Sequence, residues 1–378
     1  MPKESDLSMA EGIVAYGELN NPDDAIEDVL KQISLKGNPV VVVFSCPGEH
    51  FDVCSRRLSR AFPKAQVIGC TTYMALSSRG NGTNGLVAWA LTDGVECAAG
   101  LLFEIDHYPM RYASSIERAV HTLSDTDNTI CLDFSNAAGN CEELIQDTFK
   151  KVLEPLNIPV AGGTAGGKDL EDKTLVSLNG EVYNEACVFV LIRNLTGRIF
   201  LYKENIFKPT KMVVTATDVD CEERVVYDFD GAPAAETLAY MLGVSDDKLA
   251  EILAERPLGR IVGDEIYITD IKGIRDDGGL DCFARIYNQS KLVIMEPDVL
   301  EAVWKKTSAA LKASGVKPSM TFAVNCYARI RFFERHGTLD AYNEMMKSEY
   351  GQYAGMVGFG EQVNYEHFNV TMVLVVLE

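Results

Sequence analysis

Two charged residues near the end of the chain have the chemistry to hold a zwitterion. Arg329, in a Cys-x-x-Arg segment with Cys326, offers a planar guanidinium that can fork onto a carboxylate, and Glu361 can take an ammonium. The alternative is that the two pair with each other at a strand end and only stabilise a sheet. Cys326, beside Arg329, could be a lowered-pKa nucleophile. An enzyme would also need a base, and the nearest in sequence, His336 and His367, form no recognisable Cys–His motif. A buried structural thiol is the plainer reading. The other cysteines are Cys46, Cys54, Cys70, Cys97, Cys131, Cys141, Cys187, Cys221 and Cys282, with no CxxC among them, which argues for reduced thiols rather than disulfides or metal. Of the five histidines, His50, His107, His121, His336 and His367, the last, near Tyr365 and beside Phe368, is the best placed for an axial haem ligand. No ligand motif surrounds it, so no cofactor is expected. Paired acids at Asp125/Asp127, Asp218/Asp220 and Asp228/Asp230 complete no EF-hand and read as solvated turns.

Glycine turns are the second feature with chemical reach: Gly69, Gly162-Gly163, and Gly358 with Gly360. Small residues at strand ends let something approach the backbone closely, or simply make tight turns. GGTAGG is not GxGxxG, and no Walker lysine follows.

The elements that would position these residues form a repeat. VVVVFSC, TICLDFSN and MTFAVNC each read as a strand ending in small polar residues. Each is followed by a helix, a second strand ending in glycines (AQVIGCTT, IPVAGGTAGG, YAGMVGFGE) and an outgoing strand (GLVAWALT, ACVFVLIRN, NVTMVLVVL). Cys46, Ser135 and Cys326 are thereby expected at equivalent strand ends, where βαβ units tend to bind ligands. Helical stripes fall at 22–36, 112–123, 142–153, 299–313 and 339–350, and a further helix is expected from Pro233. Strand-like runs include 39–46, 66–72, 129–135, 183–192, 199–204, 265–274, 282–287, 320–326 and 368–377. Long strand-only stretches break the alternation, so the expected fold is α/β (α+β): mixed β-sheets flanked by helices and built from β-α-β units. A boundary near residues 205–210 gives two domains, 12–207 and 208–378.

Composition narrows the setting. The 378 residues are 47% hydrophobic, enough for a sizeable core, and 35 Lys+Arg against 55 Asp+Glu give a formal charge of −20. That charge makes nucleic acid and anionic membrane poor partners. No apolar run approaches the ~18 residues of a membrane helix, and the first residues lack the pattern of a secretory leader, so a cytoplasmic setting is expected.

Several segments resemble the FIST family. VIGCTT at 67–72 and PVAGGTAGG at 159–167 are similar to the glycine motifs of its N-terminal domain. YDFDGAPAAETLAYMLG, RPLG at 256–259, DDGGLDCFARI at 276–286, NCYAR at 325–329 and GFGEQVNYEHFNVT at 358–371 are similar to its C-terminal domain. The resemblance implies a two-domain sensory module that binds a small polar molecule such as an amino acid, rather than an enzyme. By position it carries ligand binding onto Cys326, Arg329, Gly360, Glu361, Asn369 and Thr371, and onto Gly69, Cys70, Thr71, Gly162, Gly163 and Thr164. No F-box, histidine-kinase, GGDEF-like or receptor segment accompanies it, so output is expected through a separate signalling protein. The alternatives are a thiol-dependent enzyme using Cys326 and a protein-interaction scaffold.

Overall fold

The computed structural model describes residues 9–104, 109–263 and 265–378; His107 and the first eight residues, read above for a leader, lie outside them. Chain order shows three copies of one unit. The first is β1 (Glu11–Glu18), α1 (Pro22–Lys36), β2 (Val41–Cys46), α2 (Gly48–Ala61), β3 (Gln66–Thr71), a hairpin of β4 (Ala75–Ser77) and β5 (Asn81–Gly82), and β6 (Gly85–Asp93). The second is β7 (Val95–Phe103), α3 (Pro109–Val120), β8 (Thr129–Ser135), α4 (Glu142–Leu153), β9 (Val160–Thr164), a hairpin of β10 (Val176–Leu178) and β11 (Glu181–Tyr183), and β12 (Ala186–Asn194).

The third unit is opened by an insertion. It starts with β13 (Ile199–Asn205), then detours through β14 (Phe207–Asp220), β15 (Val225–Phe229), β16 (Ala232–Pro233), α5 (Ala234–Leu242), α6 (Asp246–Leu253), β17 (Leu258–Val262), β18 (Glu265–Thr269), β19 (Ile271–Ile274), β20 (Leu280–Cys282) and β21 (Lys291–Pro297). It resumes with α7 (Leu300–Ser314), β22 (Met320–Cys326), α8 (Tyr327–Arg335), α9 (Leu339–Tyr350), β23 (Tyr353–Gly358), a hairpin of β24 (Gly360–Val363) and β25 (Glu366–Phe368), and β26 (Thr371–Leu377).

Each unit makes one mixed sheet, in the orders β1-β6-β2-β3-β10-β11, β7-β12-β8-β9-β24-β25 and β13-β26-β22-β23-β4-β5. The central pair is parallel in all three, and its crossover helices cover the outer face. The hairpin that follows the second strand never joins its own sheet. The first unit contributes β4–β5 to the third sheet, the second contributes β10–β11 to the first, and the third contributes β24–β25 to the second. The three inner faces meet in one core, where Phe322 packs 5.6 Å from Trp89 and 5.9 Å from Phe134, ring centre to ring centre. Both faces of these sheets are covered, which is why VVVF at 41–44 is apolar without alternation and buried throughout. Helix α1 begins on Asn21-Pro22 and turns Ile26, Val29 and Ile33 inward.

Two sequence expectations shift. Cys46, Ser135 and Cys326 do close their strands. The ladders, however, pair Cys46 with Thr71, Ser135 with Thr164 and Asn325 with Val357, so Asn325 and not Cys326 holds the third equivalent register. Residues 283–287 are not a strand, because the Phe283 backbone turns aside to meet the Asp270 carbonyl and the Arg224 guanidinium.

Candidate functional site

The three glycine-bearing strand ends meet one another. Gly166 N–H donates to the Thr71 carbonyl (2.9 Å), Tyr73 N–H to Val357 (3.0 Å) and Phe359 N–H to Thr164 (3.0 Å), a cyclic set of backbone bonds in which each second strand grips the next. A Cβ on Gly166 would lie 2.3 Å from the Val357 oxygen, and one on Gly358 1.9 Å from that of Thr164. A Cβ on Gly69 would strike the Phe44 ring, one on Gly162 the Asp133 carbonyl, one on Gly163 the Val324 side chain and one on Gly360 the His367 ring. What approaches these backbones is protein. Thr71 Oγ1 accepts the Leu175 N–H, and burial pushes the Cys70 thiol up.

Cys326, Glu361, Asn369 and Thr371 sit together next to this ring, all buried. One Glu361 oxygen accepts the Thr371 N–H (2.9 Å) and hydroxyl (2.7 Å); the other has no hydrogen-bond partner. Burial lifts Glu361 to about 8, against the opposing pull of the Thr371 bonds and of Arg329. Burial, followed by the carboxylates Glu361 and Asp270, also drives the Cys326 thiol well above its usual range, so the thiol stays protonated. Arg329 does not hydrogen-bond Glu361. Its guanidinium pairs with Glu204 of β13, which also accepts the Thr307 hydroxyl, and it lies over Phe333 and Tyr342 at 5.0 and 5.7 Å. Glu204 was not singled out in the sequence.

His367 belongs to a second buried cluster, where the insertion meets the second sheet. Arg224, in the turn just before β15, reaches Glu142 (2.6 Å) and Glu143 at the N-terminus of α4. Glu142 accepts the Thr164 hydroxyl, Thr164 accepts from Gln362, and Gln362 contacts His367 Nδ1 at 3.2 Å. Burial holds the imidazole below its usual value, while Glu142 and Glu143 oppose the shift. Of the remaining histidines, His336 bonds Glu255 and His121 bonds the Glu117 carbonyl on its own helix.

A groove of about 830 Å³ opens between β13, α7, β18 and the β24–β25 hairpin. It exists because of the insertion. In the first unit, α1 follows β1 after three residues and presses so close that a Cβ on Gly17 would lie 2.8 Å from the Ala25 oxygen. In the third, residues 207–297 come between β13 and α7. Two aromatic rings, Tyr267 and Phe368, stack in its wall at 5.2 Å. Lys203 lies over Phe368 at 3.7 Å and bonds Glu265 at 2.8 Å. Burial lowers its ammonium pKa, and Glu265 and Glu366 counter that. Lys208 and Lys306 add positive charge, and Glu204, Asp298 and Glu366 add negative charge. Glu204 and Thr307 thus belong to one wall, with Arg329 buried behind them. An opening of this size, with aromatic surface and both signs of charge, suits a small zwitterion with an apolar part. The carried-over glycines, Cys326 and Glu361 line neither this groove nor the smaller recess beside His367.

Comparison with known proteins agrees with the motifs. The FIST N domain family matches residues 39–232 and the FIST C domain family matches residues 234–364. An uncharacterized protein of Methanocaldococcus jannaschii is 26% identical over 221 residues, covering 55% of this chain and 42% of its own length, so the chain spans less than half of that relative.

Proposed function

The chain belongs to the FIST family, whose domains are sensory domains in signal transduction, and on that footing we propose that it senses a small polar ligand, an amino acid or a close relative, in the β13–α7 groove. The observation that carries this reading is the groove itself, opened in the unit that holds the insertion and lined by paired charges around stacked aromatic rings. A ligand carboxylate would take Lys203 or Lys306, and an ammonium would take Glu265 or Glu366. Arg329 serves as the support that fixes Glu204, and Cys326 has no nucleophilic part. Haem is outside this reading, since the recess beside His367 measures about 70 Å³. Output passes to a separate signalling protein in the cytoplasm.

A thermal-shift screen of amino acids and small carboxylates tests the proposal, because a ligand that binds the native state raises its stability by mass action. A hit should raise the melting temperature of the wild type, and Lys203→Ala or Lys306→Ala should weaken it about tenfold or more, as expected for a charge-assisted bond. Absence of any hit, or a hit of equal affinity for wild type and both variants, would sink the reading.

A further inference from the structure

A smaller recess of about 70 Å³ lies between the insertion and the β24–β25 hairpin, on the far side of Tyr267 and Glu366 from the groove's other walls. A single ordered water needs only about 10–15 Å³, so the space suits an ion of four or five heavy atoms. Its lining holds three nitrogen donors with capacity left over. Arg285 bonds Glu222 through Nη2 at 3.0 Å; its buried Nε makes no hydrogen bond and lies 3.9 Å from the Glu143 carboxylate. Arg260 stacks on Tyr267 at 4.8 Å and makes no ion pair among the described residues. His367 is 8% exposed, and its Nε2 is buried without a hydrogen-bond partner.

Of the two carboxylates in the lining, Glu143 is already engaged, accepting Arg224 on one oxygen and the Arg285 backbone N–H on the other, and Glu366 lies within electrostatic reach of Lys203. Ser290 adds a hydroxyl. Buried donors without acceptors are costly, and an oxyanion would complete them. We propose that this recess binds a small oxyanion of carboxylate or phosphate type, held by Arg260, Arg285 and His367, at a site separate from the sensory groove.

Titration calorimetry of the full chain with potassium phosphate and with sodium acetate, at fixed ionic strength, tests this. One of the two probes should bind saturably at one site per chain, and which one does so assigns the ion. Arg260→Gln should weaken it at least tenfold, while Lys208→Ala, which alters only the groove lining, leaves it unchanged. The His367 ring-proton NMR signal should shift with the same saturation curve, a readout independent of whether a variant folds. Binding of neither probe, equal binding to wild type and Arg260→Gln, or a saturable site that is lost in Lys208→Ala would overturn the proposal. The last result would place the ion in the groove and bear on the sensory reading instead.

Discussion

Arg329 is fully buried, and a guanidinium taken out of water persists only when paired. Glu204 is that pair, and Arg329→Met would leave its carboxylate buried with the Thr307 hydroxyl alone. The expected loss is about 3–5 kcal/mol by urea denaturation, and Arg329→Met/Glu204→Met should return most of it, as exchange of buried pairs for apolar residues of similar volume does elsewhere. A single-variant loss under about 1 kcal/mol would show the pair to be dispensable. Three buried carboxyls make a second residue-scale statement. Burial raises Asp133 to about 8, Asp270 to about 7 and Glu361 to about 8. Over the interval between ordinary carboxylate values, near 4, and these raised ones, the native state holds protons that the unfolded chain has lost. Stability therefore falls as pH rises from about 4 to about 8. Glu361→Gln should flatten part of that fall when melting is compared at pH 5.5 and 8.5; an unchanged slope would remove Glu361 from the effect. Cys326 should resist iodoacetamide in the native protein while the partly exposed Cys221 is alkylated, as peptide mass mapping would show.

At the scale of elements, the ring of strand ends depends on glycine where backbone meets backbone. Gly358→Ala should destabilise by about 1–3 kcal/mol or more, since neither the Thr164 carbonyl nor its strand can step aside. Gly273→Ala, with open space around its Cβ position, should stay within about 0.5 kcal/mol. Equal melting temperatures for the two would refute the close approach. The strand–helix–strand repeat was legible because its periodicities are local: apolar VVVVFSC, the stripe at 22–36, glycines at the second strand's end. The two- to four-residue strands of the hairpins were not, because such pieces carry no period. Helix α8 escaped because nine residues leave too short a stripe. Within the candidate site, Arg329 and His367 stood out by type, but their partners did not. Glu204 lies 125 positions from Arg329 and reads as one more charge in an alternating strand, and Arg224 sits in CEERVV like a solvated charge run. The groove had no signature at all, because it is the gap an insertion leaves between a strand and a helix.

Across the whole molecule, the insertion keeps its own apolar core and is tied to the second unit by Arg224. Arg224→Met should strand Glu142 and Glu143 and raise hydrogen exchange throughout 207–297, leaving the β1–β6–β2–β3 sheet protected; uniform protection in the variant would mean that other contacts hold the insertion. The exchange of hairpins has a consequence of a different kind. Because each unit completes its neighbour's sheet and never its own, the circuit closes after three steps whether or not the units share a chain. A polypeptide with a single unit, cut free of the others, would carry one homeless hairpin and one vacant sheet edge, and three such copies meeting head to tail satisfy both. The covalent joins then act as tethers that raise effective concentration, turning a ring that would otherwise fall apart on dilution into one that cannot.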